Sequence, residues 1–259
     1  MGNFINTANI QNIIANVIGG IIVALLTIAI QFLRTKIKYR SFKKIFGNDL
    51  EENFKIIYPA YEPPAGITFA KPQPKVSRIT AGTVNLETVN STASSRAMSH
   101  LSYAIGRNSR ANPIIKSDIE TDEFMDISFI SIGGLNNHKS VDLLDNASNT
   151  FITFSGNAII SKKSKKAIVR LKTGYDYGFV IKINPSHNPE RTWLCCAGFA
   201  EWGTSGVSWW LSKYWKVISK QAKKRPFALI TQTRIGSDDS TQKLHLFLSE
   251  QAVENETEL

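Results

Sequence analysis

The chain has 259 residues, 42% of them hydrophobic and 10% aromatic, which excludes wholesale disorder and suits one folded domain beside a membrane segment. Its formal charge of +10 would fit a nucleic-acid binder, but six cations stand directly behind one apolar run. They read as a membrane flank, which argues against nucleic acid as a partner. The two cysteines are adjacent, Cys195 and Cys196, so a disulfide framework is excluded, and with scattered histidines so is a metal centre.

Residues 1–33 carry no charge, and 13–33 are almost continuously apolar. At about 1.5 Å per residue this run crosses the roughly 30 Å hydrocarbon core, so 1–34 is read as a single transmembrane anchor. Arg34 closes that stretch, and Lys36, Lys38, Arg40, Lys43 and Lys44 follow within a basic juxtamembrane segment, 35–50. A cleavable signal peptide carries its positive charge before the apolar run, not after it. The charge rule therefore predicts a single-pass protein of the cell membrane, N-terminus outside and C-terminal domain cytoplasmic, with the flank against anionic lipid headgroups.

Residues 51–249 are expected to form that domain. A strand is predicted over 53–61, then a Pro-, Lys- and Gly-rich loop to about 79 and a helix over 90–108, where Ala93, Ala97, Leu101, Ala104 and Ile105 recur at helical spacing. A strand over 126–132 stops at Gly133-Gly134, and 140–144 opens a helix. Short strands are read at 151–154, 158–160 and 167–171, then at 177–183 and 192–197 around an Asn-Pro-rich loop. On neighbouring strand positions Cys195 and Cys196 point to opposite faces, as buried thiols of a reducing compartment.

Gly203 and Gly206 precede an amphipathic helix over 207–224, with Trp209, Trp210, Tyr214, Trp215 and Ile218 on its apolar side. That spacing fits packing better than a base-stacking platform. Strands at 227–231 and 243–248 end the domain, and 250–259 is an acidic tail. The pattern predicts the α/β class: a Rossmann-like core of mostly parallel strands with an inserted antiparallel ribbon around 150–183.

Two glycine loops carry the functional signal. In the first, Gly133 and Gly134 permit close backbone approach, while Asn136 and Asn137 offer polar contacts to a sugar or base. In the second, Gly198 and Gly203 lead to Thr204 or Ser205 as N-cap of the long helix, whose first amides would hold an anion. Asn184 and Asn188, with His187, are read as reaching the same crevice, and His138 as a phosphate contact. Glu201 is the candidate catalytic carboxylate, toward an N-glycosidic bond, or a partner for a ribose hydroxyl. Both loops also read as plain turns that ease strand-to-helix packing.

A strand ending in Gly133-Gly134 with Asn136-Asn137 downstream, then a strand ending in Gly198 and Gly203-Thr204 before a helix, resembles the Rossmann-like nucleotide-sensing and nucleotide-processing domains of the SLOG and TIR type. The likeness covers these two loops. The Pro-Gly-Gly-x-Gly-Thr-x-x-Glu run of the SLOG pattern is incomplete, with Val207 where its Glu would stand. The resemblance therefore implies ligand sensing rather than phosphoribohydrolase-like activity, in a sensor or effector of a bacterial defence system. Three readings stay open: a membrane-tethered module for a nucleotide-like ligand, relaying through the helix or a homo-oligomer; an N-glycosidase acting on NAD or a nucleoside; and a ligand-free scaffold for a protein partner. No cofactor is indicated.

Overall fold

In the computed structural model of the chain, residues 7–60, 91–121, 126–155 and 158–249 are described, with side chains from Ala15 onward. The chain divides into two units, Met1–Ser41 and Phe42–Leu259. The expected loop of 61–79 and the acidic tail lie outside the described residues.

The first unit is the greater part of one helix, α1 (Thr7–Phe46). Its stretch Ala15–Phe46 is long and apolar enough to cross a membrane, with a mean hydropathy of 2.2 and none of the apolar window buried within the protein. Side chains such as Val23, Leu26, Ile28 and Phe32 stand more than half exposed, which in water would be an unstable surface.

The second unit begins inside the predicted juxtamembrane segment. Phe42, Ile45 and Phe46 are fully buried and Leu50 is nearly so; the Phe42 and Phe46 rings stack at 4.4 Å, and Phe42 meets Trp215 edge-on at 5.0 Å. The domain therefore starts at Phe42 rather than at 51. Its apolar residues were obscured by the cations between them, which hold their charged ends in water while their stems cover the core.

The second unit is an α/β sandwich around a seven-stranded sheet in the order β10-β9-β7-β8-β3-β1-β2. The strands are β1 (Lys55–Tyr58), β2 (Ile114–Ser117), β3 (Phe129–Ile132), β7 (Tyr175–Ile183), β8 (Trp193–Gly198), β9 (Phe227–Arg234) and β10 (Gln242–Leu248). From β2 to β8 every pairing is parallel. From β8 to β10 every pairing is antiparallel, because β7, β8, β9 and β10 follow one another through turns and one returning helix. The inserted ribbon is a separate three-stranded antiparallel sheet, β4 (Ile152–Ser155), β5 (Ala158–Ser161) and β6 (Ala167–Arg170). Residues 175–183, placed with the ribbon by sequence, belong instead to the main sheet.

Side-chain alternation sends each strand's residues into two cores. One face packs Ile56, Ile130, Ile132, Leu194 and Cys196 against the end of α1, α2 (Thr92–Asn108) and α4 (Glu201–Ala222). The other packs Ile57, Phe129, Ala197, Phe179 and Cys195 against α3 (His138–Asp145) and the ribbon. Cys195 and Cys196 thus lie on opposite faces, both free and buried. Burial pushes both thiols up, Cys195 to about 11, so both are inert at neutral pH. On α4, Trp210 and Trp215 are buried while Tyr214 is exposed, the arrangement of a packing face.

Candidate functional site: a cleft at the carboxyl ends of the parallel strands

Strand β1 leads through α2 to β2 on one side, while β3 lies on the other. The carboxyl ends of β1, β3 and β8, which pair in parallel, form one edge of the sheet. A cleft of about 380 Å³ occupies this edge, lined by Ser91, Ala93 and Ser94 of the α2 start, Gly133, Gly134, Leu135 and Asn136 after β3, Phe154 of the ribbon, and Gly198, Phe199, Ala200, Glu201 and Thr204 after β8. Both glycine loops face this one cavity. Its size lies within the range of small-molecule sites.

The first loop turns sharply because Gly133 takes φ +91°, the left-handed region that glycine enters without penalty. Its amide still donates to the Cys196 carbonyl at 2.9 Å, tying the turn to β8. Gly134 is different: a Cβ there would meet only the Ala197 methyl at 3.8 Å, so the backbone borders open cleft. Asn136 lines the cavity, but Asn137 does not act on it. Asn137 is fully buried. Its Oδ1 accepts from the Lys139 and Ser140 amides and its Nδ2 donates to the Ile57 and Ile132 carbonyls. It is the N-cap of α3, with all its polar capacity used internally.

The second loop corrects the sequence reading most. Helix α4 begins at Glu201 with Ala200 as N-cap, so Thr204 and Ser205 are helical residues, with Ser205 fully buried. Gly203 and Gly206 are close-packing positions inside the helix, not the loop glycines that the sequence predicts. A Cβ on Gly203 would strike the Tyr177 carbonyl, and one on Gly198 would strike the Gly203–Thr204 backbone. Only glycines let α4 lie this near β7 and β8.

The Ala200 and Gly203 amides at the α4 start are also taken. Asp176 on β7 is 2% exposed and accepts from the Gly203 amide at 2.6 Å, from Ala200 at 3.2 Å and from Tyr177 at 2.8 Å. Burial raises its carboxyl above the usual range, against the pull of those amides. An anion from the chain itself thus occupies the site proposed for a ligand at Gly203, Thr204 and Ser205. Likewise Asp118 accepts from the His138 amide at 3.1 Å and from Ala60 at 3.0 Å, so His138 presents its backbone to a carboxylate, not to phosphate.

The start of α2 lines the cleft as well. Ser91 caps it by accepting from the Ser94 amide at 3.1 Å, and the Thr92 and Ala93 amides precede the first ladder bond, from Ser95 to the Ser91 carbonyl. Apolar spacing in the sequence placed this helix, but neither its Ser91 cap nor the edge it faces. Phe154 and Phe199, also missed, form an aromatic wall with ring centroids 4.9 Å apart. Phe154 falls in a strand read from the sequence, and only the ribbon's fold across the sheet brings it here.

Asn184 and Asn188 lie at the other edge. Asn184 donates to the Arg191 carbonyl at 2.7 Å across the turn between β7 and β8, and Asn188 donates from its amide to Pro185 at 3.0 Å. Ile183 pairs with Trp193 at that edge and Gly178 with Gly198 at this one, so the whole of β8 separates these asparagines from the cleft. His187, which meets the Trp193 ring at 5.3 Å, is on their side. Glu201 does line the cleft, exposed at the first position of α4, where the helix dipole favours its charge. Among the described lining residues it is the one titratable side chain. Among the described residues no group of three or more His, Cys, Asp or Glu could hold a metal ion. Set against known proteins, the chain matches no family model, no curated protein and no solved structure.

Proposed function

We propose that this protein is a membrane-tethered binding module whose cleft takes a nucleotide or nucleotide-derived small molecule. The observation that carries the reading is the convergence of the 133–136 loop, the 198–200 turn and the first turn of α4 on one cavity at the carboxyl ends of β3 and β8. In that pose the phosphate lies against Gly134 and the capped start of α2, where dipole and amides favour an anion. The base stacks on Phe154 and Phe199, and the ribose hydroxyls donate to Glu201. Binding is favoured over N-glycosidic hydrolysis because Glu201 has no second acid or base beside it among the described lining residues. The setting, a sensor or effector of a bacterial defence system, rests on the loop resemblance alone.

The orientation is part of the proposal: the uncharged N-terminus and the cations from Arg34 onward place the domain in the cytoplasm. An alkaline phosphatase fused after Leu259 should stay inactive; external activity rejects this arrangement. The ligand is tested by titrating the detergent-solubilised full chain with a nucleotide panel. Gly134→Val adds bulk on the cleft side without a clash at its Cβ, so it should keep the fold and lose at least tenfold in affinity. Retained affinity in a folded variant puts the ligand elsewhere, and silence across the panel leaves the scaffold reading.

A further inference from the structure

The amino ends of the same parallel strands carry a second cavity, of about 220 Å³, lined by Lys43, Lys44, Gly47, Asn48, Lys182, Asn184, Pro189, Glu190, Thr192 and Lys224. Four lysines face one glutamate. Lys182 sits on β7 and is 2% exposed. Its Nζ donates to the carbonyls of Lys44, in the last turn of α1, and of Lys224, just past the end of α4. An ammonium has three donors, and among the described residues no carboxylate pairs with this one. A buried cation held by neutral carbonyls alone is poorly compensated. Lys43 is partly neutralised by Glu51 at 3.4 Å, whereas Lys44 and Lys224 make no ion pair among the described residues.

We propose that this cavity is a site for a phosphate group, carried by an anionic phospholipid headgroup or by a free phosphate compound, with Lys182 beneath it and Lys44 and Lys224 at its sides. The bound anion supplies the counter-charge that Lys182 lacks, and the cavity walls limit it to a small group. Burial and the neighbouring Lys224 push the Lys182 ammonium down to about 8; a phosphate beside it raises that value again. Lys43 and Lys44 close the basic run that directly follows the apolar segment, which makes a lipid headgroup one natural source. This site is independent of the nucleotide reading and stands if that reading fails.

The test uses the full chain in neutral detergent, with thermal melting followed on addition of inorganic phosphate, dioctanoyl phosphatidic acid or dioctanoyl phosphatidylcholine, each against sodium chloride of equal ionic strength. A phosphate-bearing ligand should raise the melting temperature of the wild type beyond the salt control, as any ligand of the folded state does. The doubly substituted Lys44→Ala, Lys224→Ala protein should lose at least tenfold in apparent affinity, and Lys182→Met at least as much. Should Lys182→Met fail to fold, the double variant, altered only outside the buried lysine, decides. Stabilisation by phosphatidic acid at a tenfold lower concentration than inorganic phosphate assigns the lipid source; parity or the reverse order assigns a free compound. The proposal is overturned if neither phosphate ligand exceeds the salt control, if phosphatidylcholine stabilises equally, or if the double variant responds like the wild type.

Discussion

The two ends of the parallel strands differ in charge for one shared reason. Helices α3 and α4 start at the carboxyl edge, and there buried carboxylates, Asp118 and Asp176, receive their amides. Helices α1 and α4 finish at the amino edge, and there a buried ammonium, Lys182, donates to the closing carbonyls. Helix polarity has sorted the buried charges, acids to one edge and a base to the other. What remains for ligands follows from that sorting. The carboxyl edge keeps a cleft without a cation in its described lining, and the amino edge keeps a cavity walled by lysine.

The strongest way to break this comparison is to remove a sorted charge. Asp176→Ala leaves the Gly203, Ala200 and Tyr177 amides without their acceptor and should cost about 3 kcal/mol, read as a lower melting temperature and denaturation midpoint. Asp176→Asn should fall between, because an amide can accept on one side only. An unchanged melt for the alanine variant would show that the α4 start is not held by this carboxylate.

A smaller effect comes from Lys182, whose folded value of about 8 lies below the ordinary lysine range. Between those two values the unfolded chain binds more protons than the folded one. Stability of the wild type should therefore rise with pH above 8, and level off near the ordinary lysine value. The slope is at most about 1.4 kcal/mol per pH unit. Lys182→Met should abolish this dependence, and a matching slope in the variant would assign it to other groups.

At the carboxyl edge, Gly134→Val should weaken nucleotide binding at least tenfold, about 1.4 kcal/mol, with the melting temperature preserved. Least affected is Glu201→Gln: losing one hydroxyl contact at an exposed carboxylate should change affinity by about threefold, under 1 kcal/mol. A hydrolytic activity on NAD or a nucleoside that this substitution abolishes would instead establish the enzyme reading. Nucleotide affinity at the cleft should also fall less steeply with salt than phosphate binding among the lysines, where exposed like charges are screened together.

Periodicity in the sequence reached most of the elements, since the strands from β3 to β10 and the helices α2 and α4 repeat apolar residues at their own spacing. Strand β2 was missed: its four residues sit at the sheet edge with Ile114 and Ile115 each less than half exposed but open to solvent, so no buried pattern marks them. The start of α4 was misread for another reason. Glycine signals a turn when only the chain's own freedom is weighed, whereas Gly203 and Gly206 are set by strands that approach from far along the sequence. The same distance hid Asp176, whose role depends on a helix that begins 25 residues later. The 133–136 loop and Gly198 were legible as strand endings, and their convergence follows from the parallel pairing of β3 with β8. Asn184 and Asn188 were assigned to the wrong edge because β7 runs antiparallel to its neighbour, a direction that local pattern does not encode.

The burial of Phe42, Ile45 and Phe46 sets where a protease can part this domain from the apolar stretch of α1. A cut among Arg34, Lys36, Lys38 and Arg40 leaves every core side chain with the released piece, whereas a cut after Lys43 or Lys44 carries away Phe42 and exposes the Trp215 edge it covers. The basic run from Arg34 to Lys44 thus offers six tryptic bonds, of which only the first four yield a released domain that keeps its fold. Limited trypsin digestion in detergent should accumulate a fragment beginning at Ser41 or earlier, and one that starts at Ile45 should be cleared as fast as it forms.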